Sequence, residues 1–118
     1  MPAYNAETTL KKAYQQIPKD LVDQILLVDD GSRDATVKIS KELGIPTIIH
    51  PKNLGYGGNQ KTCYTHALKS GADLIIMLHP DGQYDPLDIS KFIDMNHDFF
   101  CSTFHASKRL MDHDSSIR

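Results

Sequence analysis

Ile25-Leu26-Leu27-Val28-Asp29-Asp30-Gly31-Ser32-Arg33-Asp34 is the stretch that decides the fold. Four apolar residues in succession suit a strand covered on both faces, as in a parallel α/β sheet. Asp29 and Asp30 then fall at the carboxyl end of that strand, where open α/β sheets bind ligands. Gly31 permits a tight turn, and Ser32 or Asp34 can cap the orphan amides of a following helix. An acidic pair there suits hydrogen bonds from a nucleobase or ribose, or a cation. It equally suits a plain strand end with a turn cap.

Upstream, Pro2-Ala3-Tyr4-Asn5 reads as extended or turn-like, with Asn5 placed to cap a helix over residues 6–16. Leu10, Ala13, Tyr14 and Ile17 recur at helical spacing, and Pro18 stops the helix. Downstream, a helix over 34–43 carries Ala35, Ile39 and Leu43 on one face, closed by Gly44 and Pro46. A short strand follows at 47–50, then a glycine-rich loop over 51–59, a helix to Ser70 and a strand at 73–78. Asp85 caps a helix with Pro86 at its first position and Asp88 in its first turn. Residues 99–104 suit a fourth strand, and 111–118 form a polar tail behind a domain of residues 1–110. This alternation of helix and strand predicts an α/β sandwich with a mostly parallel sheet.

The 118 residues suit one domain with a real core; 40% are hydrophobic and 24% charged, ordinary for a soluble globular protein. A formal charge of -2 and an isoelectric point near 6.3 leave no basic footprint for nucleic acid or an anionic membrane. The longest apolar run, at 74–78, is too short to span a bilayer. Met1 is followed by proline and polar residues, so no signal-peptide pattern opens the chain. Cys63 and Cys101 match no metal or redox spacing and read as reduced, packed thiols of a cytoplasmic protein.

Three polar segments follow strands or open helices: residues 2–7, 29–34 and 79–85. In a parallel sheet they gather along one edge and can form one site. The loop Asn53-Leu54-Gly55-Tyr56-Gly57-Gly58-Asn59, leading to Lys61, offers amides and an ammonium that suit a diphosphate, or serves as a connector. It lacks the Gly-Lys-Ser/Thr ending of a triphosphatase loop. Asp81, in a turn beside Gly82 and Gln83, suits a divalent ion bridging two phosphates, or a structural role. His79 beside it suits a ligand, a ribose contact or a strand end. The remaining histidines are scattered and make no zinc site.

Together, Pro2-Ala3-Tyr4-Asn5-Ala6-Glu7, Val28-Asp29-Asp30-Gly31-Ser32-Arg33-Asp34, Asn53-Leu54-Gly55 through Lys61, and Asp81-Gly82-Gln83 resemble family 2 glycosyltransferases over residues 2–95. The branch around dolichol-phosphate mannose synthase is the most similar. The resemblance implies a three-layer α/β/α GT-A (Rossmann-like) fold and inverting transfer of a sugar from a UDP- or GDP-sugar. Tyr4 and Glu7, with backbone from Pro2 and Ala3, would line the nucleotide pocket. Asp29 would hydrogen-bond the base, Asp30 would lie close to the nucleoside, and Lys61 near the nucleotide or its phosphates. Asp81 matches the final acid of an Asp-x-Asp motif that holds Mg2+ or Mn2+ on the diphosphate. His79 stands where the first acid is expected. A polyprenyl phosphate or glycan hydroxyl would be the acceptor, which would put the protein at the inner face of a membrane.

The resemblance also implies an apolar central strand just before Pro2, so the sheet is expected to be incomplete. Residues 99–104 or a strand from a second copy would then fill the lane, making a homo-oligomer through that edge. Residues 106–110 are faintly similar to a family segment of Gly-Ser-Arg type, and no catalytic base is named. Two other readings compete. One is an inactive nucleotide-binding or interaction fragment of such an enzyme; the other is a signalling receiver domain, suggested by Ile-Leu-Leu-Val-Asp-Asp.

Overall fold

The computed structural model describes residues 1–81, 85–94 and 107–108. Among these residues five strands and four α-helices alternate: β1 (Pro2–Ala3), α1 (Leu10–Gln15), β2 (Leu27–Asp29), α2 (Thr36–Glu42), β3 (Thr47–Ile49), α3 (Gly55–Lys69), β4 (Leu74–Ile75), α4 (Ile89–Asp94) and β5 (Ser107–Lys108). Strands β1, β2 and β3 form a parallel sheet in that order, with Ala3 opposite Asp29 and Asp29 opposite Ile49. β4 pairs with β5 in an antiparallel ladder. The sequence reading contained no strand at β5. The expected strand at 99–104, Cys101 and the polar tail lie outside the described residues.

The layers follow from the two-residue period of β2. Leu27 joins a core of Leu10, Ala13, Ile17, Ile45, Leu78 and Ile89 on the side of α1 and α2. Val28 points the other way, into a core with Cys63 of α3 and Met77. Both are fully buried, as the apolar run predicts for a strand covered on both faces.

α1 begins four residues later than expected. Asn5 takes a left-handed backbone (φ 51°), and its side chain accepts the Arg33 N–H at 2.9 Å instead of capping α1. On α2, Ile39 and Leu43 pack on the core as expected, but the fully buried residues are Thr36 and Ser40. Their hydroxyls are satisfied: Thr36 accepts from Ala6 N–H at 2.8 Å, and Ser40 lies 2.5 Å from Thr47. Thr47 uses its own proton on Ile45 C=O at 2.8 Å, so Ser40 is the donor of that pair.

α3 runs through Gly57, Gly58 and Asn59, which the sequence reading assigned to a loop. The physical reason is long-range. Asp30 accepts the Leu54 N–H at 2.8 Å and the Gly55 N–H at 3.0 Å, two donors at the helix start that otherwise lack partners. That capping offsets the low helix propensity of three glycines.

The lane beside β2 is held at its carboxyl end by β1. The ladder extends through Met1, whose amine donates to Leu26 C=O at 2.7 Å and whose carbonyl accepts from Val28 N–H at 3.0 Å. Toward the amino end of β2, a cavity of about 460 Å³ opens between Ile25 and Ile76, walled also by Ile17, Val22, Leu78 and Ile93. Asp23, Gln24, Ser70 and Asp73 also line it, but none of the nine expected site residues does.

Candidate nucleotide-sugar site

Ala3, Asp29 and Ile49 lie side by side in adjacent lanes, so the residues that follow them emerge together at the carboxyl edge. The first two segments are stitched by reciprocal bonds. Asn5 N–H donates to Ser32 Oγ at 2.8 Å, Glu7 N–H donates to Asp34 Oδ2 at 3.1 Å, and Ala35 N–H donates to Glu7 Oε2 at 3.1 Å. The third segment is tied in by the Thr9 hydroxyl, which donates to Pro80 C=O. Gly31 (φ 81°) is required by a close approach: a Cβ there would lie 3.1 Å from Asn53 N.

A cavity of about 300 Å³ opens where these segments meet. Pro2, Ala3, Tyr4, Asp30, His79 and Asp81 line it, so six of the nine expected site residues come together. Tyr4 is half exposed there. Asn53, Tyr56 and Asn59 from the glycine segment also line it, and the sequence reading did not single them out.

The other three sit elsewhere. Glu7 is exposed, and its carboxylate caps Ala35 rather than lining the cavity. Lys61 is exposed in the second turn of α3 and does not line it either. Asp29 is 1% exposed, just behind the lining. Its Oδ2 accepts the N–H groups of Gly31 and Ser32 at 3.1 and 2.9 Å, while Oδ1 is buried with no donor among the described residues. A buried carboxylate oxygen left in that state is costly and suits a donor supplied from outside the chain.

On the opposite wall, Tyr56 and His79 stack with ring centroids 5.2 Å apart and planes inclined by 20°. Tyr56 Oη lies 3.0 Å from His79 Nε2 and accepts from Gln60 Nε2 at 2.7 Å. Behind the cavity, His50 is 8% exposed, and its Nδ1 lies 2.8 Å from Asp30 Oδ1. The sequence reading did not single out His50. The signal was available: Asp30 and His50 each directly follow a strand, in adjacent parallel lanes.

Cys63, buried in the α3 core, has its thiol pKa pushed up chiefly by burial, which suits a packed thiol rather than a nucleophile. Among the described residues no three His, Cys, Asp or Glu side chains gather to hold a metal.

Comparison with known proteins agrees with this geometry. The profile of glycosyl transferase family 2 matches residues 1–107. A UDP-N-acetylglucosamine–dolichyl-phosphate N-acetylglucosaminyltransferase of Methanococcus voltae is 36% identical over 79% of this chain and 44% of its own length. An uncharacterized protein of Methanocaldococcus jannaschii is 34% identical over 79% of this chain and 38% of its own. The chain thus spans well under half the length of these curated relatives. Glucosyl-3-phosphoglycerate synthase from Mycobacterium tuberculosis, solved with UDP, superposes with a TM-score of 0.60 at 23% identity, covering 75% of this chain and 35% of that one. S. aureus TarS gives 0.57 at 24% identity, covering 79% and 30%. The fold is therefore the expected GT-A arrangement with an incomplete sheet, and the receiver-domain reading is set aside. The chain belongs to glycosyl transferase family 2.

Proposed function

We propose that this chain forms the donor-binding part of an inverting glycosyltransferase that uses a UDP- or GDP-sugar. The observation that carries the reading is the convergence of residues 2–4, Asp30, His79 and Asp81 on one cavity, with Asp29 just behind it and its Oδ1 buried without a donor among the described residues. In this reading Asp29 Oδ1 accepts an N–H of the base, and the Pro2–Tyr4 backbone and the Tyr4 ring border the nucleoside. The UDP bound to the mycobacterial structure and the UDP-sugar in the name of the Methanococcus relative support a uridine donor. That relative's dolichyl-phosphate acceptor supports a lipid-linked acceptor, met at a membrane surface. Among the described residues no helix is long and apolar enough to cross a membrane.

The residues present fit a divalent cation of the hard, oxygen-binding kind. In this reading Asp81, a carboxylate that lines the cavity along with Asp30, would hold such an ion. Mg2+ commonly takes one or two protein carboxylates and completes its shell with phosphate and water. When bound, Mg2+ or Mn2+ would neutralise charge on the leaving diphosphate. The chain's own residues hold the nucleoside, and the α3 start and the stacked Tyr56–His79 pair wall the cavity. Transfer forms the bond from an acceptor oxygen to the anomeric carbon as the bond to the diphosphate breaks. The test is a screen of UDP- and GDP-sugars with Mn2+ and a polyprenyl phosphate, the product's anomeric configuration being read by NMR. An inverted product supports the reading; a retained one overturns the inverting part.

A second reading, nucleotide binding without transfer, is favoured by His79. It stands where a second acid would serve the metal, and its Nε2 faces Tyr56. UDP binding with no product from any donor would select it.

A further inference from the structure

His50 is a buried ionisable side chain that the donor-site reading above does not use, and it connects two elements of that site. Its Nδ1 lies 2.8 Å from Asp30 Oδ1, and its Nε2 lies 2.9 Å from Thr62 Oγ1 in α3. The same Asp30 carboxylate accepts the amides of Leu54 and Gly55. Thr62 Oγ1 also donates to Gly58 C=O at 3.1 Å, which ties the ring to the helix backbone. One imidazole thus joins the end of β2 to the second turn of α3. The cavity-lining residues Asn53, Gly55, Tyr56 and Asn59 lie in or beside the segment it spans.

We propose that His50 is a positioning residue that holds residues 53–59 against the donor cavity by bridging Asp30 to Thr62. The proposal rests on the donor-site reading for its consequence in binding, not for its geometry. A carboxylate with three donors is fixed in direction, because rotating it away from one breaks the others. Losing the imidazole frees Asp30 to turn, and the Leu54 amide loses its cap. The glycines at 55, 57 and 58 give that segment little stiffness of its own.

The experiment compares His50→Asn, whose amide nitrogen can take the place of Nδ1, with His50→Leu, which keeps neither bond, and with Thr62→Val. The readouts are UDP affinity by calorimetry and hydrogen exchange at the Leu54 amide, on variants whose thermal unfolding remains cooperative. The expected result is about a tenfold loss of UDP affinity and at least about tenfold faster Leu54 exchange in His50→Leu, with His50→Asn recovering most of both. Thr62→Val falls between them. Equal behaviour of His50→Leu and His50→Asn, or Leu54 exchange unchanged in His50→Leu, overturns the proposal. If the wild-type chain does not bind UDP, the donor reading fails by itself, and Leu54 exchange still decides whether His50 positions the segment.

Discussion

Glu7 and Asp34 cap each other's segments. Asp34 Oδ2 accepts the Glu7 N–H, and Glu7 Oε2 accepts the Ala35 N–H, each at 3.1 Å. Asp34 Oδ1 meanwhile caps the Thr36 N–H at 2.9 Å. Two loops 27 residues apart in sequence are thereby registered before any ligand is present.

This exchange predicts coupling. Glu7→Ala and Asp34→Ala should each lower stability by about 0.5–1 kcal/mol, as expected for exposed caps. Each change removes one bond and leaves the other, whose donor is a backbone amide; the double variant should lose less than the sum, since each bond holds the loops in the register that the other needs. Urea denaturation of the four chains measures it; simple additivity would show that the two bonds act independently.

Asp34 also sets a pH dependence. Burial raises its pKa, but the hydrogen bonds from Thr36 and Glu7 outweigh burial and hold it below the ordinary 3.8. A carboxyl depressed on folding stabilises fully above its unfolded value and loses that contribution as pH falls through the folded one. Asp34→Asn should therefore be destabilising near pH 6, with the gap to wild type narrowing below pH 3.8. A gap that stayed constant down to acid unfolding would contradict this.

Asp30→Ala leaves the buried His50 ring and the Leu54 amide without their acceptor. The cost should be about 3 kcal/mol, well above that of a surface carboxylate. Guanidinium unfolding gives the number, and a loss under about 1 kcal/mol would mean water replaces the carboxylate.

Much of this was readable from the residues, and the failures share one cause. The strand at Leu27–Asp29, the turn at Gly31 and the carboxyl-edge site follow from local pattern and from where parallel sheets place their loops. The start of α3 does not, because its cap comes from Asp30, 24 residues earlier. Asn5 does not cap α1 for the same reason, and Glu7 likewise spends its side chain on the 33–35 turn. Lys61 was expected at a helix start, and α3 begins six residues before it.

His79→Asp should restore a second acid to the cavity and raise Mn2+ affinity in the UDP complex by about tenfold, as an added charge at a partly screened site would. Competition with a chelating dye measures it. Unchanged affinity would mean that this position does not face the metal.

The most direct test of the central claim is calorimetric titration of the folded chain with UDP and GDP, each with Mn2+ and then with chelator, beside Asp81→Ala. The account predicts metal-dependent binding of at least one nucleotide, weakened by about tenfold or more in the variant. A wild-type chain that unfolds cooperatively but binds neither nucleotide would contradict it.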